Sequence, residues 1–454
     1  LNYFGTRSEF QVYARRMGKS QEHIDQDLRS LSWFVSVTRP QLNHHDPKSR
    51  QRQLEIAQDL RRSRDFRRQR HWDLPDGSRL DLFQRKQLPI QVIPLDETPS
   101  PTGDDPSPIH LTHINVPSRS GVGESIPVTY SWQGSWDALT HGAVILTWQR
   151  DTEGAIAQPN RPQRSTQWLH DHFIGFGTLR PHPIQANQSM QSPAPETIAS
   201  SFNVVERTAM QTPADVQPGL YQLKASYLDT RSGTTTPLTV PGVTLRIAAS
   251  KPDEPKLNEP KNSRTIQFAV DTPDGQNAER RGAEQQETNN RPDLDRPEVD
   301  WVSQLRMLST ALPQGIEALD PVFDQIGRFS LYDPVQSYAQ QAEVTLAHRL
   351  QINPNDLENA YALTLAQVLQ RDAEGAIATL QSITALDSRN PYAHAYLAFV
   401  HLYALHPHAA HDAISRAIAL DPDVQEFKLL RVVASVMGGD LWHAWSEGRA
   451  VFAT

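Results

Sequence analysis

The sequence predicts a multidomain chain: a small α/β module, an all-β sandwich and an all-α solenoid of stacked helix pairs. Three observations carry that expectation. Between residues 342 and 422 the pattern repeats: Ala342, Ala376 and Ala410 stand 34 apart, as do Leu346, Leu380 and Ile414, and Ile352, Leu386 and Leu420. Between 109 and 250, short β-rich runs alternate with turn residues. Before residue 90, helical and strand patterns mix around the turn Pro75-Asp76-Gly77-Ser78. At 454 residues the chain has room for about three such units.

The totals bound what these units do. Lys and Arg number 44 against 52 Asp and Glu, a net charge of −8, which weighs against a general nucleic-acid binder. The local exception is Arg61, Arg62, Arg64, Arg67, Arg68 and Arg70, which reads as a solvated helix face and turn or as a contact for anionic lipid headgroups. The chain has no cysteine, so disulfides, thiolate metal sites and cysteine nucleophiles are excluded; that composition fits either side of a bacterial membrane. No apolar run is long enough to cross a bilayer, and the first residues carry no signal-peptide pattern. The chain starts at Leu1, and Ala444 lies 34 beyond Ala410. The expectation is therefore a piece of a longer protein with its last repeat incomplete.

Residues 1–90 read as the α/β module. Helical spacing is expected over 8–17, over 20–31 with Ser20 as N-cap, and over 47–62, where Leu54, Ala57 and Leu60 share a face. Strands are expected at 33–37, 66–74 and 79–85. Gly77 supplies the positive φ needed by the turn between the last two.

The run Trp72-Asp73-Leu74-Pro75-Asp76-Gly77-Ser78, followed by Leu80-Asp81-Leu82-Phe83-Gln84-Arg85, resembles the end of a soluble domain, as does the run from Asp27 through Leu28, Leu31, Trp33 and Phe34 to Thr38. That domain follows the membrane-spanning part of bacterial, notably cyanobacterial, glycosyltransferases similar to the dolichyl-phosphate-mannose-protein mannosyltransferase family. The resemblance covers about 85 residues. It implies an enzyme that takes sugar from a polyprenyl-phosphate carrier, with its catalytic acid in a loop among transmembrane helices. Those helices are not in this sequence, so the resemblance places the chemistry upstream and makes this chain an extracytoplasmic, non-catalytic tail, tethered to the membrane only through the upstream region. A cytoplasmic location also fits the composition.

Residues 91–108 contain Pro94, Pro99, Pro101, Pro106 and Pro108 and read as an extended linker. Strands are then expected at 109–116, 125–132, 143–150, 168–175, 202–209, 220–228 and 238–247. Seven short strands between turn residues predict an immunoglobulin-like sandwich over 109–250. The segment from Pro218 through Tyr221, Leu223 and Tyr227 to Gly233 resembles sandwich domains appended to the same glycosyltransferases.

Within this unit His170-Asp171-His172 is the candidate metal constellation. On a strand the two imidazoles share a face about 6–7 Å apart, adequate for two ligands, with His141 and His182 as third candidates. The alternative is that both histidines pack beside Trp168 and Ile174, satisfied by neighbours. No Gly-flanked serine points to a hydrolase, and Gly121-Val122-Gly123 lacks the helix a phosphate loop needs.

Residues 251–300 are polar and proline-studded and read as a disordered tether, with 265–270 a strand-like island. The helical array over 301–454 would then be tethered to the sandwich rather than docked on it. The 34-residue period with two helices per unit is the tetratricopeptide signature. Ala stands where helices approach closely, Leu or Ile fills the space between them, and Pro354 and Pro422 stop the second helix, with Ser388 at the equivalent place. Helices are expected at 335–350, 357–370, 373–386, 391–404, 407–420 and 424–437, after a capping helix at 301–312. In tetratricopeptide repeats the first helix of each pair lines a peptide-binding groove. The matching positions are Glu358, Tyr361, Tyr392 and Phe399. His394, His401, His406, His408 and His411 crowd one repeat, as a solvated surface or a pH- or metal-sensitive one.

The function these features predict is a protein-interaction scaffold that binds a protein or peptide, without catalytic residues, cofactor or nucleic acid. Two alternatives stand beside it: a free-standing soluble tetratricopeptide adaptor, and a metal-dependent enzyme using His170 and His172.

Overall fold

A computed structural model describes residues 33–38, 47–63, 65–95, 107–151, 165–177, 179, 201–249, 299–315 and 335–452. The α/β module contains β1 (Trp33–Val37), α1 (Pro47–Arg62), β2 (Phe66–Asp73) and β3 (Arg79–Arg85). The three strands form an antiparallel sheet in the order β1-β3-β2. Ile56 and Leu60 of α1 pack on Phe66 and Phe83. Gly77 has φ 73°, as the turn between β2 and β3 requires. Arg61 donates to the buried Asp81 at 2.7 Å, and Arg68 lies 3.7 Å from the same carboxylate, so this basic stretch is partly neutralised from within. Arg67, Arg68 and Arg70 lie on exposed β2, a strand rather than a helix face and turn. The helices expected over 8–17 and 20–31 fall outside the described residues.

The second unit has two sheets over one core. One sheet runs β4-β11-β7-β5, from β4 (Ile90–Leu95), β5 (Ile109–Asn115), β7 (Ser125–Gly134) and β11 (Ser201–Gln211). The other runs β10-β8-β12-β14-β6, from β6 (Arg119–Gly121), β8 (Gly142–Arg150), β10 (His172–Phe173), β12 (Gly219–Asp229) and β14 (Thr244–Ala248). Strands β9 (Gln167–Leu169) and β13 (Thr235–Leu238) pair with β8 and β12. A short helix, α2 (Trp136–Thr140), capped by Ser135, joins β7 to β8. Ile126, Val128, Tyr130 and Trp132 from one sheet meet Leu146, Trp148, Tyr221 and Leu245 from the other in a shared core.

Three sequence expectations need correction here. The single strand expected over 168–175 is two short pieces, β9 and β10, followed by a 3-10 turn at Ile174–Gly177. The residues expected to begin a linker at 91 instead form β4, antiparallel to β11 with Pro94 opposite Phe202. β4 is an edge strand, where a proline lacking an N–H costs no ladder bond. The strand expected over 238–247 is split, because Pro241-Gly242 interrupts it between β13 and β14.

The helical region opens with α3 (Trp301–Ser309), capped by Asp300, and a 3-10 turn at Leu312–Gln314. It continues with α4 (Val335–Ile352), α5 (Leu357–Leu369), α6 (Ala373–Leu386), α7 (Pro391–Tyr403), α8 (Pro407–Leu420), α9 (Gln425–Met437) and α10 (Leu441–Phe452). The starts of α5, α7 and α9, and of α6, α8 and α10, keep the period. Ala342, Ala376, Ala410 and Ala444 are all buried, as are Leu346, Leu380 and Ile414. The chain turns inside each pair through a left-handed residue at one phase: Arg371 (φ 63°), Leu405 (62°) and Gly439 (81°).

Ile352, Leu386 and Leu420, expected between helices, are 65%, 43% and 43% exposed instead. Each is the last residue of its helix. The array is also docked, not merely tethered: Val344 of α4 packs with Ala143, Ile145, Leu228 and Phe173 of the second sheet. A side chain on Gly177, itself at φ 68°, would overlap the Gln341 amide of α4. Of the tether expected over 251–300, residues 251–298 lie outside the described residues, and its last two are ordered: Val299 bridges Ala209 and Asp300 is buried as the cap of α3.

Leu380→Ala is expected to destabilise the chain by about 2–5 kcal/mol, while Leu386→Ala, on the exposed phase, is expected to change it by less than about 0.5 kcal/mol. Urea unfolding followed by far-UV circular dichroism distinguishes the two.

Candidate functional site

The constellation at 170–172 lies at the joint between the paired sheets and the helices. Its three side chains split by direction, as alternation along an extended segment requires. His170 and His172 turn inward, with ring centroids 5.0 Å apart. Asp171 points the other way, to the helices.

The histidines are engaged by protein groups. His170 Nδ1 pairs with the Tyr130 hydroxyl at 2.8 Å, and its Nε2 lies 3.1 Å from Asp300 Oδ2. His172 Nδ1 faces the His170 carbonyl at 3.0 Å, and its Nε2 meets Glu206 Oε2 at 2.9 Å. Glu206, fully buried on β11, also accepts from the Trp132 indole at 2.6 Å and from the Gly175 amide. Burial opposes charge on His172, but the Glu206 carboxylate outweighs it and raises the pKa. The partners are thus Tyr130, Asp300 and Glu206, not Trp168 and Ile174. Both His172 nitrogens are taken, so the metal-enzyme reading loses its ligand pair. Among the described residues no group of three His, Asp or Glu is arranged to hold a metal ion. His141 is engaged by the Asp137 carbonyl at the end of α2, and His182 lies outside the described residues.

Asp171 is the residue that sequence reasoning missed. It is fully buried. Its carboxylate accepts from the Leu146 amide at 2.8 Å, from Arg306 of α3 at 2.7 Å, and from Arg349 of α4 at 2.9 and 2.7 Å. Arg306 also donates to Asn359 in the first turn of α5, at 2.9 Å. Burial pushes the Asp171 pKa up, but Arg349 and Arg306 overcome it and hold the carboxyl far below the usual range. Donors converging from a sheet and two helices make this a positional joint rather than a reactive site.

The four groove candidates do not form one surface. Tyr361 is buried in the helical core, where burial raises its phenol pKa. Tyr392 is half-buried, edge-on to Phe427 at 5.7 Å. Glu358 and Phe399 are exposed. Exposed apolar side chains of the first helices lie further along: Phe399 and Tyr403 on α7, and Leu429, Val433, Val436 and Met437 on α9. Phe399 and Val433 are one period apart, as are Tyr403 and Met437. Of the five histidines, His394 and His401 are buried; burial, then His406, lowers the His401 pKa.

The helix pairs, their 34-residue phase and their alanine contacts define a tetratricopeptide-like helical region. Among solved structures, the chain is similar to MamA, with 16% identity over 34% of this chain and 80% of that one and a TM-score of 0.25. It is also similar to MamA 41-end from Desulfovibrio magneticus RS-1, with 18% identity, 34% and 93% coverage and a TM-score of 0.24. A third is TTC0263, a thermophilic TPR protein in Thermus thermophilus, with 16% identity, 39% and 90% coverage and a TM-score of 0.23. No family model and no curated protein matches the chain.

Asp171→Asn leaves two buried guanidinium groups facing a neutral amide, an expected loss of about 3–5 kcal/mol. Because the folded pKa is depressed, the Asp171 contribution is present above the unfolded value near 3.9 and is lost as pH falls through the folded one. Denaturant titrations between neutral and acid pH are expected to show a shallower acid loss in the Asn variant.

Proposed function

We propose that this chain is a non-catalytic interaction scaffold whose first-helix face binds a protein or peptide segment. The observation that carries the reading is a group of exposed apolar side chains on successive first helices, Tyr403 on α7 and Leu429, Val433, Val436 and Met437 on α9, with Tyr403 and Met437 one period apart. Large apolar side chains grouped on one face of a repeat array are the chemistry of a docking surface.

The paired sheets are proposed to be an immunoglobulin-like sandwich. In support, β5, β7 and β11 share one sheet and β8, β12 and β14 the other, and β6 runs parallel to β14. Trp148 is buried on β8, and the Tyr221 hydroxyl at the start of β12 donates to the Gln217 carbonyl at 2.6 Å, as in a tyrosine corner. The wider proposal is that the chain is the extracytoplasmic C-terminal region of a membrane glycosyltransferase using a polyprenyl-phosphate-linked sugar. Its support is the residue pattern over 27–38 and 72–85. Among the described residues no helix is long and apolar enough to cross a membrane.

A photo-crosslinker at Val433 in the producing cells is expected to give a discrete protein adduct that Tyr403→Asp abolishes; labelling no stronger than from exposed Arg416 on α8 counts against the binding face. For the glycosyltransferase reading, the coding sequence ahead of Leu1 is expected to encode a multi-span apolar region. A start codon or signal peptide directly before Leu1 would favour the free-standing adaptor instead.

A further inference from the structure

Residues 299–315 stand outside the 34-residue phase, yet they run across the first helices of the array. Val299 forms a parallel bridge with Ala209 of β11, and Asp300 lies beside His170. Arg306 joins Asp171 to Asn359, and the Ser309 hydroxyl donates to the Glu358 carbonyl at 3.3 Å, both contacts falling in the first turn of α5. Leu312 is then buried in the helical core. The Pro313 carbonyl accepts from Asn390, the N-cap of α7, at 3.1 Å. The carbonyls of Leu312 and Gly315 share the Tyr396 hydroxyl, each at 2.8 Å.

The order of these contacts follows the chain: first the sheets, then α5, then α7. A regular first helix touches the first helix of the next pair, but this segment reaches two successive ones and meets α7 through backbone carbonyls. The segment is helical through Ser309, so what meets α7 is the turn that follows, with one aliphatic anchor and main-chain acceptors. The two ends differ in kind. Near the sheets the segment is held by buried ion pairs; on α7 it is held by Leu312 and neutral hydrogen bonds.

We propose that residues 299–315 are a displaceable intramolecular ligand of the surface formed by the first turn of α5 and by Asn390 and Tyr396 of α7, and that a partner segment of the same chemistry, a turn presenting an aliphatic residue beside main-chain carbonyls, competes with it. This rests on the reading of the helical region as a partner-binding scaffold and adds a second contact area, around Asn390 and Tyr396, to the group from Tyr403 to Met437.

The probe is a fluorescent synthetic peptide of residues 299–315, titrated into the full chain by fluorescence anisotropy. The variant Arg306→Ala with Leu312→Asp, which loosens the internal copy, is expected to bind the peptide at least tenfold more tightly than the unaltered chain. A peptide carrying Leu312→Asp is expected not to bind, and Asn390→Ala with Tyr396→Phe in the loosened chain is expected to weaken capture. Equal binding by loosened and unaltered chains, or none by a loosened chain that keeps its helical circular dichroism, overturns the proposal. Should the loosened chain fail to fold, hydrogen exchange on the unaltered chain decides: amides of 310–315 are expected to exchange at least tenfold faster than the interior of α7, and equal protection overturns the proposal. Neither result bears on the Val433 cross-link, which reports the binding face without this segment.

Discussion

A buried carboxylate must be compensated, and the way Asp171 is compensated organises this molecule. Taking one ion out of water costs several kcal/mol even after relaxation, and only close, well-aligned partners return it. Asp171 finds them in three places: its own sheet through the Leu146 amide, α3 through Arg306 and α4 through Arg349. Planar guanidinium groups suit this role because each can present parallel donors to one carboxylate. An apolar contact such as Val344 against Ile145 tolerates a small slide; a carboxylate between two arginines does not. The ion cluster therefore sets the seat of the helices on the sheets, and the apolar patch fills in around it.

Much of the fold was legible because it follows short-range rules. The helices from α5 to α9 lie within a residue or so of their expected ends, since the alanine and leucine phases are strict. The capping aspartates and asparagine, Asp356, Asp372 and Asn390, begin three of them. Errors arose where a local rule met a longer-range one. Prolines at 94 and beyond read as a spacer, but an edge strand accepts one. Ile352, Leu386 and Leu420 repeat as faithfully as the core residues, yet periodicity says only that positions are equivalent, not which way they face.

The joint was illegible for a different reason. His170 and His172 are ligand-like as a pair of imidazoles, and both turn to one side of their segment. The decisive residue was the aspartate between them, whose arginine partners lie 135 and 178 residues further along the chain. No window of local pattern spans that distance. Nor could the sequence separate Tyr361, which faces the helical core, from Phe399, which faces out.

Synthesis runs from the amino end, and that order gives the Asp171 arrangement a kinetic meaning. The strands of both sheets through β14 leave the ribosome before Arg306 and Arg349 exist. Until those arginines arrive, the patch of Ala143, Ile145, Leu228 and Phe173 awaits its helix with an ionised aspartate beside it. A hydrated negative charge at the margin of an apolar patch discourages premature association with the wrong neighbour. The same carboxylate thus acts twice, first as a gatekeeper in the nascent chain and afterwards as the pin of the finished one.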